Sequence, residues 1–302
     1  MSKTTGSVEI NGKTILIGNP DKPLWKDLGI TKGIYIEKLV FLSEYLIRHA
    51  KDRLLTTICY PDGIDGKSFY RKNIPDHAPD YISTRIRNDN EYVLLNDLET
   101  LVWLGNMAAL EFHVSFEKGK ENHPDALVFD LDPSEGQTFE DVAKAALLIR
   151  ETLEGLNIRS HVKLSGATGL QIYIFVAGRY DYNQARLINE FFGTYFSEKY
   201  PDLFTVERNV KKRGKKLYFD YLQLWQGKTV ICPYSPRATA FATVAAPLTW
   251  KELEEGARPE DFTLLNIRER LAKTGDLFEE MLYPEKAVRL DFLLEKLKPK
   301  GE

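Results

Sequence analysis

The sequence predicts a folded domain of the mixed α/β (α+β) class without a transmembrane helix, and three observations support this. Strand-length apolar stretches alternate with amphipathic helical patterns through the middle of the 302-residue chain. A hydrophobic content of 43% allows a sizeable core and excludes global disorder. No run of 18 apolar residues is present, so a transmembrane helix is not expected. The length suggests one large domain or two closely packed ones.

The N-terminal part predicts a hairpin followed by a helix. Residues 7–18 read as two strands around Asn11-Gly12, a favoured two-residue turn. A helix is expected after Thr31-Lys32-Gly33, with one face formed by Ile36, Leu39, Val40 and Ile47. Residues 53–60 and 91–95 then predict strands, with Pro61-Asp62-Gly63 as a turn between them.

The middle of the chain has the most regular pattern. Residues 125–132 predict a strand with a polar end. Thr138 is expected to cap the next helix, in which one face holds Val142, Ala146, Ile149 and Leu153. Residues 158–164 and 170–176 predict strands on either side of a Ser-Gly-Ala-Thr-Gly turn.

The C-terminal half continues with alternating elements. A helix is expected over about 183–199, and strands are expected over 217–224 and 228–232. Thr249 and Glu252 have the spacing of a capping box. The remainder to Glu302 is expected to be mostly helical.

Two carboxylates stand at the end of the strand predicted over 125–132. Side chains alternate along a strand, so Asp130 and Asp132 point to one face while Phe129 and Leu131 point to the other. Pro133 ends the strand because it has no backbone N–H. Adjacent carboxylates repel each other unless a cation lies between them, and hard oxygen ligands suit Mg²⁺ or Mn²⁺.

A third carboxylate, Asp220, occurs in the apolar segment LYFDYLQL, where an unpaired charge is costly. If that strand is a neighbour of 125–132, the three aspartates converge, as two-metal phosphoryl transfer requires. The alternative is that Asp130 and Asp132 form a turn or cap and that Asp220 pairs with a nearby Arg or Lys.

Several segments could bind phosphate groups. Ser165 to Gly169 offers glycines and hydroxyls that could turn donors toward an anion, although a plain hairpin loop is the alternative. Residues 208–216 contain six cations in nine residues, which indicates either a solvated loop or a nucleotide-binding patch. Arg237 could pair bidentately with phosphate.

Further candidates lie in the N-terminal part. Lys22 and Lys32 belong to a small basic group, and Lys32 falls at the start of a helix, where N–H groups favour anions. Phe69-Tyr70-Arg71-Lys72 could stack on a base, whereas a buried Phe69 is the alternative. His113 could be a core histidine or a phosphate or ribose contact.

These segments together resemble the polymerase domain of bacterial DNA ligase D, a member of the archaeo-eukaryotic primase superfamily. The matching stretches, in order, are NPDKPLWKDLGITKG, YPDGIDGKSFYRK, LVWLGNMAALEFH, LVFDLDPSEG, KLSGATGLQIYIF, FDYLQLWQGKT, PYSPRA and PLTWKELEEGARPEDFTLLNIRERL. The resemblance implies a single primase-polymerase-type domain over 1–302. It also implies two packed β-sheets with flanking helices, the helical C-terminal portion (about 249–302) packing on the core.

The resemblance also implies roles for individual residues. The metal-binding catalytic residues would be Asp130, Asp132 and Asp220. Nucleotide contacts would come from His113, Ser165, Gly166, Thr168, Gln171, Arg213, Gln223 and Arg237. The pocket for a DNA 5′-phosphate would contain Asn19, Lys22 and Lys32, and the template-stacking element would contain Phe69, Tyr70 and Lys72.

The chain departs from the family pattern at three positions. The family often has Lys or Arg where this chain has Thr168, His where it has Gln171, and a basic residue where it has Cys59. The first two changes affect expected triphosphate contacts, for which Lys163 or the 211–216 cluster could compensate.

The resemblance implies a template-dependent polymerase that fills gaps or extends ends in non-homologous end joining, using two Mn²⁺ or Mg²⁺ ions and preferring ribonucleotides. Its expected partners are gapped or broken DNA with a 5′-phosphate, nucleoside triphosphates, a DNA ligase and a DNA-end-binding protein, and no membrane. A cytoplasmic, nucleoid-associated location is expected. A primase that starts chains without a primer and a non-catalytic end-bridging module are the alternatives.

Overall fold

A computed structural model of the chain describes residues 5–119 and 122–297. The strands of this part of the chain are β1 (Thr5–Ile10), β2 (Lys13–Gly18), β3 (Pro23–Trp25), β4 (Ile30–Thr31), β5 (Leu55–Cys59), β6 (Phe69–Arg71), β7 (Thr84–Arg87), β8 (Asn90–Val93), β9 (Ala109–Ser115), β10 (Ala126–Asp132), β11 (His161–Leu164), β12 (Leu170–Phe175), β13 (Phe204–Thr205), β14 (Leu217–Phe219), β15 (Thr229–Ile231) and β16 (Pro247–Leu248).

The α-helices of the same residues are α1 (Lys32–Ala50), α2 (Leu98–Asn106), α3 (Phe139–Gly155), α4 (Tyr182–Lys199), α5 (Trp250–Glu254), α6 (Ile267–Thr274) and α7 (Asp291–Leu297). Short 3₁₀ helices cover Val210–Lys212, Pro259–Asp261, Glu279–Leu282 and Pro284–Lys286. Among the residues described, none of the helices combines the length and hydrophobicity that crossing a membrane requires. The predicted mixed fold is confirmed.

The chain forms two compact units that alternate along the sequence. The first unit comprises Met1–Ser115, Thr229–Ala245 and Glu260–Gly275, and the second comprises Phe116–Lys228, Ala246–Pro259 and Asp276–Glu302. The expectation of a single domain over residues 1–302 stays a prediction.

The first unit is built on a four-stranded sheet of order β15-β9-β5-β6. The predicted hairpin is present as β1 and β2, and Asn11 and Gly12 both have positive φ, as the turn requires. Ile10, Ile15 and Ile17 from this hairpin pack with residues of α1 and α2 in a buried cluster. Both free cysteines, Cys59 and Cys232, are buried in this unit.

The helix predicted after Thr31 is α1, and Thr31 caps it by accepting from the backbone N–H of Ile34. Ile36 and Leu39 are buried as expected. The assignment of Val40 to the buried face is wrong, since its side chain is exposed. The reason is geometric, because Val40 lies about 100° around the helix from Leu39 and so falls on the flank.

Strands were missed between the two predicted over 53–60 and 91–95. The predicted strands are β5 and β8. The missed strands are β6, which pairs with β5, and β7, which pairs with β8. Both missed strands are short and mostly exposed, so neither has the alternation of apolar and polar residues from which a half-buried strand is recognised.

The second unit is built on a six-stranded sheet of order β13-β14-β10-β12-β11-β16. Its described strand pairs are antiparallel except for β13 with β14. The predicted strands at 125–132, 158–164 and 170–176 correspond to β10, β11 and β12. The predicted apolar face of α3 is fully buried, and Thr138 forms a capping box with Asp141.

The strand predicted over 217–224 is too long. It ends at Phe219, and the chain then turns, so Asp220 follows the strand instead of lying within it. The physical reason is that the Asp220 carboxylate accepts from the backbone N–H of Leu222 at 3.0 Å, a local bond that favours a turn over a sheet ladder.

Candidate active site

Strand β10 presents two aspartates on one face. Phe129 and Leu131, which alternate with them, are fully buried on the opposite face, so the predicted orientation is confirmed. Asp130 is half-buried and Asp132 is exposed. The rigid, apolar half of the strand therefore fixes the direction of both carboxylates.

Asp220 is brought to this strand by the pairing of β14 with β10. Leu131 is opposite Phe219, and Asp132 is opposite Tyr218. The backbone N–H of Asp220 then donates to the backbone carbonyl oxygen of Asp130 at 3.2 Å. The sheet register thus places all three aspartates at one end of β10.

The three carboxylates repel one another electrostatically. Burial, followed by the charges of Asp132 and Asp220, raises the pKa of Asp130 to about 7. Gln171 and Lys163 act in the opposite direction. Because like charges face each other here, this group suits a cation.

The side chains of the three aspartates are not arranged as a complete set of metal ligands. Over residues 5–119 and 122–297, no three Asp, Glu, His or Cys side chains converge as metal ligands. The Asp220 carboxylate instead accepts from the hydroxyl of Tyr218 at 3.2 Å, in addition to the N–H of Leu222. The acidic group therefore fits a divalent ion in its charge and oxygen donors, while Asp220 would have to leave these partners to coordinate one.

The side chain of Gln171 forms a hydrogen bond with Asp130. It lies opposite both Asp130 and Lys163 in the sheet register, and its amide Nε2 donates to Asp130 Oδ1 at 3.0 Å. The Tyr173 hydroxyl donates to Gln171 Oε1 at 3.3 Å. Lys163 is fully buried and donates to the backbone carbonyl oxygen of Leu164. Asp130, Gln171 and Lys163 thus lie side by side across three strands, and the hydrogen bond from Gln171 holds the Asp130 carboxylate.

The loop between β11 and β12 closes on its own serine. Ser165 Oγ accepts from the backbone N–H groups of Ala167 at 3.3 Å and Gly169 at 3.1 Å. Gly166 is buried with φ +74°, a conformation that favours glycine, and Thr168 is exposed. The loop is thus a tight hairpin connection whose N–H groups point inward, next to the acidic strand.

Gly169 approaches that strand so closely that a side chain does not fit. A Cβ atom here would lie 2.7 Å from the backbone oxygen of Leu131 and 3.1 Å from Asp132 Oδ1. We expect Gly169→Ala to cost about 1–3 kcal/mol of stability, measured by urea unfolding, and to displace Asp132. Gly155→Ala is the matched control because its Cβ would meet nothing within 4 Å. Equal stability of the two variants would contradict the expectation.

Two predicted nucleotide contacts flank Asp220. Arg213 lies over the Tyr218 ring at 3.6 Å from its centroid and donates to the backbone oxygens of Glu207 and Arg208. Gln223 lies in the turn after β14, where its N–H donates to the Asp220 carbonyl oxygen. Burial and the nearby Asp220 charge raise the pKa of Tyr218 to about 12, which keeps its hydroxyl protonated as a donor.

In the first unit, a buried glutamate joins the other two predicted nucleotide contacts. Glu111 Oε2 lies 3.1 Å from His113 Nε2 and 3.5 Å from Arg237 Nε. Its Oε1 accepts from the backbone N–H of Ala238 at 3.2 Å. Hydrogen bonding to His113 and the charge of Arg237 outweigh burial and lower the pKa of Glu111. Glu111 was not predicted, although its position two residues before His113 in a strand places both on one face.

The predicted 5′-phosphate residues lie around the start of α1. Asn19 has φ +51°, and its carbonyl oxygen accepts from the N–H of Lys22. Lys22 pairs with Asp62 at 2.7 Å, and Lys32 donates to the backbone oxygen of Asn106 at 3.1 Å. Burial and the charge of Lys22 lower the pKa of Lys32, and the backbone N–H of Lys32 donates to the Lys22 carbonyl oxygen at 2.8 Å.

The predicted stacking element lies on β6. Phe69 is 41% exposed and Tyr70 is 73% exposed, so the alternative of a buried Phe69 is wrong. Arg71 lies 5.2 Å from the Phe69 ring centroid, and Lys72 is exposed. Exposed aromatics beside cations are typical of surfaces that stack on nucleobases.

Comparison with known protein families identifies the family of this chain. The family model described as "LigD, primase-polymerase domain" matches residues 31–278, which is most of the chain. The chain belongs to the LigD primase-polymerase domain family. This confirms the resemblance found in the sequence and the enzyme class that it implied, a primase-like nucleotidyltransferase domain.

Named relatives of this LigD-type domain are longer proteins. It is 38% identical over 282 residues to the bifunctional non-homologous end joining protein LigD of Bacillus subtilis, covering 93% of this chain and 46% of that protein. It is 29% identical over 272 residues to the multifunctional LigD of Mycolicibacterium smegmatis, covering 87% of this chain and 35% of that protein. The chain therefore spans about half or less of these relatives.

A solved structure agrees in fold. The polymerase domain of Mycobacterium tuberculosis ligase D, described in complex with DNA, matches with a TM-score of 0.80 and 29% identity. The match covers 87% of this chain and 96% of that one. The LigD-type fold therefore extends over almost the whole solved domain.

Proposed function

We propose that this LigD-type domain is a template-dependent polymerase that acts on gapped or broken DNA in non-homologous end joining. The observation that carries the proposal is the sheet register, which places Asp130, Asp132 and Asp220 at the same end of β10. The names of the relatives support the repair pathway, and the DNA-bound M. tuberculosis domain supports DNA as a partner.

In the proposed reaction, the primer 3′-hydroxyl attacks the α-phosphorus of a nucleoside triphosphate. A phosphodiester bond forms, the bond to the β-phosphate oxygen breaks, and pyrophosphate leaves. Asp130, Asp132 and Asp220 would hold two Mn²⁺ or Mg²⁺ ions, which supply Lewis acidity for this transfer. Gln171 keeps the Asp130 carboxylate in place, and the apolar face of β10 keeps both strand aspartates directed outward.

The nucleotide contacts follow the residues predicted from the resemblance. In the second unit we assign phosphate binding to the Ser165–Gly169 loop, with Arg213 and Gln223 beside Asp220. In the first unit we assign it to His113 and Arg237. A ribonucleotide preference belongs to the same proposal. Base stacking on the template is assigned to Phe69 and Tyr70, with Lys72 near the backbone.

Primer extension on a gapped duplex tests the proposal. We expect templated addition of one or a few nucleotides that requires a divalent ion, more strongly with Mn²⁺ than with Mg²⁺ and with ribonucleotides than with deoxynucleotides. Binding of the gap without any metal-dependent addition would contradict polymerase function. Products on single-stranded template without a primer would indicate a primase instead.

The lysine pocket gives a separate prediction. A 5′-phosphate on the downstream strand should tighten binding, because Lys32 begins α1 and its backbone N–H donates to the Lys22 carbonyl oxygen, which holds the two lysine backbones together. Lys32→Gln should reduce the preference for phosphorylated over unphosphorylated gaps by about tenfold in fluorescence anisotropy. Lys51→Gln, at the other end of the same helix, is the control and should keep the preference. An unchanged preference in Lys32→Gln would refute this role.

Two protein partners complete the proposal. A DNA ligase is needed to seal the filled gap, and a DNA-end-binding protein would hold the break. The expected nucleoid association follows from the proposed DNA substrate.

A further inference from the structure

One buried carboxylate in the first unit contacts two basic side chains that lie far apart in the sequence. Glu111 is 5% exposed. Its neighbours His113 and Arg237 come from β9 and from the segment after β15. A buried carboxylate is costly unless it is paired, so this arrangement stabilises all three groups together.

The two carboxylate oxygens of Glu111 contact different groups. Oε1 accepts from the backbone N–H of Ala238, which fixes the chain directly after Arg237. The backbone N–H of Arg237 also donates to the Thr243 carbonyl oxygen at 2.8 Å. Oε2 lies at hydrogen-bond distance from His113 Nε2 and forms an ion pair with Arg237 Nε at 3.5 Å that is not a hydrogen bond. Glu111 thus fixes the backbone after Arg237 by a hydrogen bond and attracts the Arg237 side chain by charge.

The atoms through which Glu111 contacts Arg237 and His113 determine which parts of these side chains stay available to a ligand. It approaches Arg237 at Nε, so the terminal Nη1 and Nη2 edge, which pairs bidentately with phosphate, lies on the other side of the guanidinium. A carboxylate only accepts hydrogen bonds, so the contact at His113 Nε2 selects a ring that carries its proton on this nitrogen.

We propose that Glu111 is a positioning residue that orients His113 and Arg237 together toward the polyphosphate of the incoming nucleotide. The inference rests on the proposed polymerase function. Glu111 itself does not contact the nucleotide, since an anion would repel it. Its effect is to remove the freedom of two long or rotatable side chains before the ligand arrives, which lowers the entropic cost of binding.

The test compares Glu111→Gln with Glu99→Gln. Glutamine keeps the shape of Glu111, but its amide cannot accept at both positions and lacks the charge that attracts Arg237. Glu99 is also a buried glutamate of the first unit, bonded to Lys13 and Asn11 and to neither His113 nor Arg237. We expect Glu111→Gln to reduce the preference for nucleoside triphosphate over monophosphate about tenfold in equilibrium binding, while Glu99→Gln keeps it.

Ring nitrogen NMR gives a second readout that does not depend on activity. The chain has five histidines, so selective ¹⁵N-histidine labelling gives an assignable spectrum. Wild type should show His113 with a proton on Nε2, and Glu111→Gln should change that pattern. An Nε2 without a proton in wild type overturns the proposal even if the variant fails to fold. So does a Glu111→Gln protein that keeps its triphosphate preference.

The two proposals fail in different ways. A wild-type protein with the predicted His113 pattern but no metal-dependent incorporation contradicts the polymerase function. A wild-type polymerase whose triphosphate preference survives Glu111→Gln contradicts only the role of Glu111.

Discussion

Asp130→Asn is expected to lower nucleotide incorporation by about a thousandfold in primer extension on a gapped duplex. The substitution removes a charge from the centre of the aspartate group, and the two remaining carboxylates cannot neutralise a pair of divalent ions. A loss of this size corresponds to about 4 kcal/mol of transition-state stabilisation.

The control for this variant is Asp202→Asn, an exposed aspartate in a turn of the same unit. It should extend primers at the wild-type rate. DNA binding should be largely unchanged in both variants, as measured by anisotropy. Asp130→Asn with near-wild-type incorporation would refute the assignment of the three aspartates.

The same Asp130→Asn substitution is expected to stabilise the metal-free protein at neutral pH and above by about 2 kcal/mol, roughly half of what the full pKa shift would give, because solvent screens the half-buried carboxylate. The pKa of Asp130 is raised from 3.8 to about 7, so the folded state holds this proton more tightly than the unfolded state does. The stability contributed by that proton is complete below about pH 4 and is lost as the pH rises through 7. Asparagine, which is always neutral, avoids this loss.

Urea unfolding in EDTA at pH 4 and pH 8 measures the effect. The stability difference between Asp130→Asn and wild type should be near zero at pH 4 and large at pH 8. Mn²⁺ should then stabilise wild type but not the variant. A difference that does not depend on pH would show that burial and like-charge repulsion do not raise the pKa of Asp130.

The strongest sequence predictions concerned periodic elements. The alternation of polar and apolar residues in DALVFDLD fixed the faces of Asp130 and Asp132, since a buried strand has little freedom to rotate. The hairpin at Asn11-Gly12 and the cap at Thr138 were found because each has a short, local signal. The family resemblance, which depends on many motifs in order, supplied the enzyme class.

The end of β14 at Phe219 was missed because the apolar pattern continues beyond it, although the bond that ends the strand, from the N–H of Leu222 to Asp220, is local. Other features depend on contacts that no local pattern encodes. The bond from Gln171 to Asp130 depends on sheet register across 41 residues. Glu111 was missed because its partner Arg237 is distant in sequence, although its spacing from His113 was visible.

The end of β14 at Phe219 has a consequence for the mobility of the three aspartates. Six residue pairs join β10 to β12 but only two join it to β14, and β14 is held in place mainly by its buried side chains, such as Phe219 against Phe129. Asp220 lies just beyond these buried residues, in a turn outside the strand, whereas Asp130 and Asp132 lie within β10. The Asp220 carboxylate can therefore rearrange by a local change of the turn, without opening the sheet, and this is a freedom that the two strand aspartates lack.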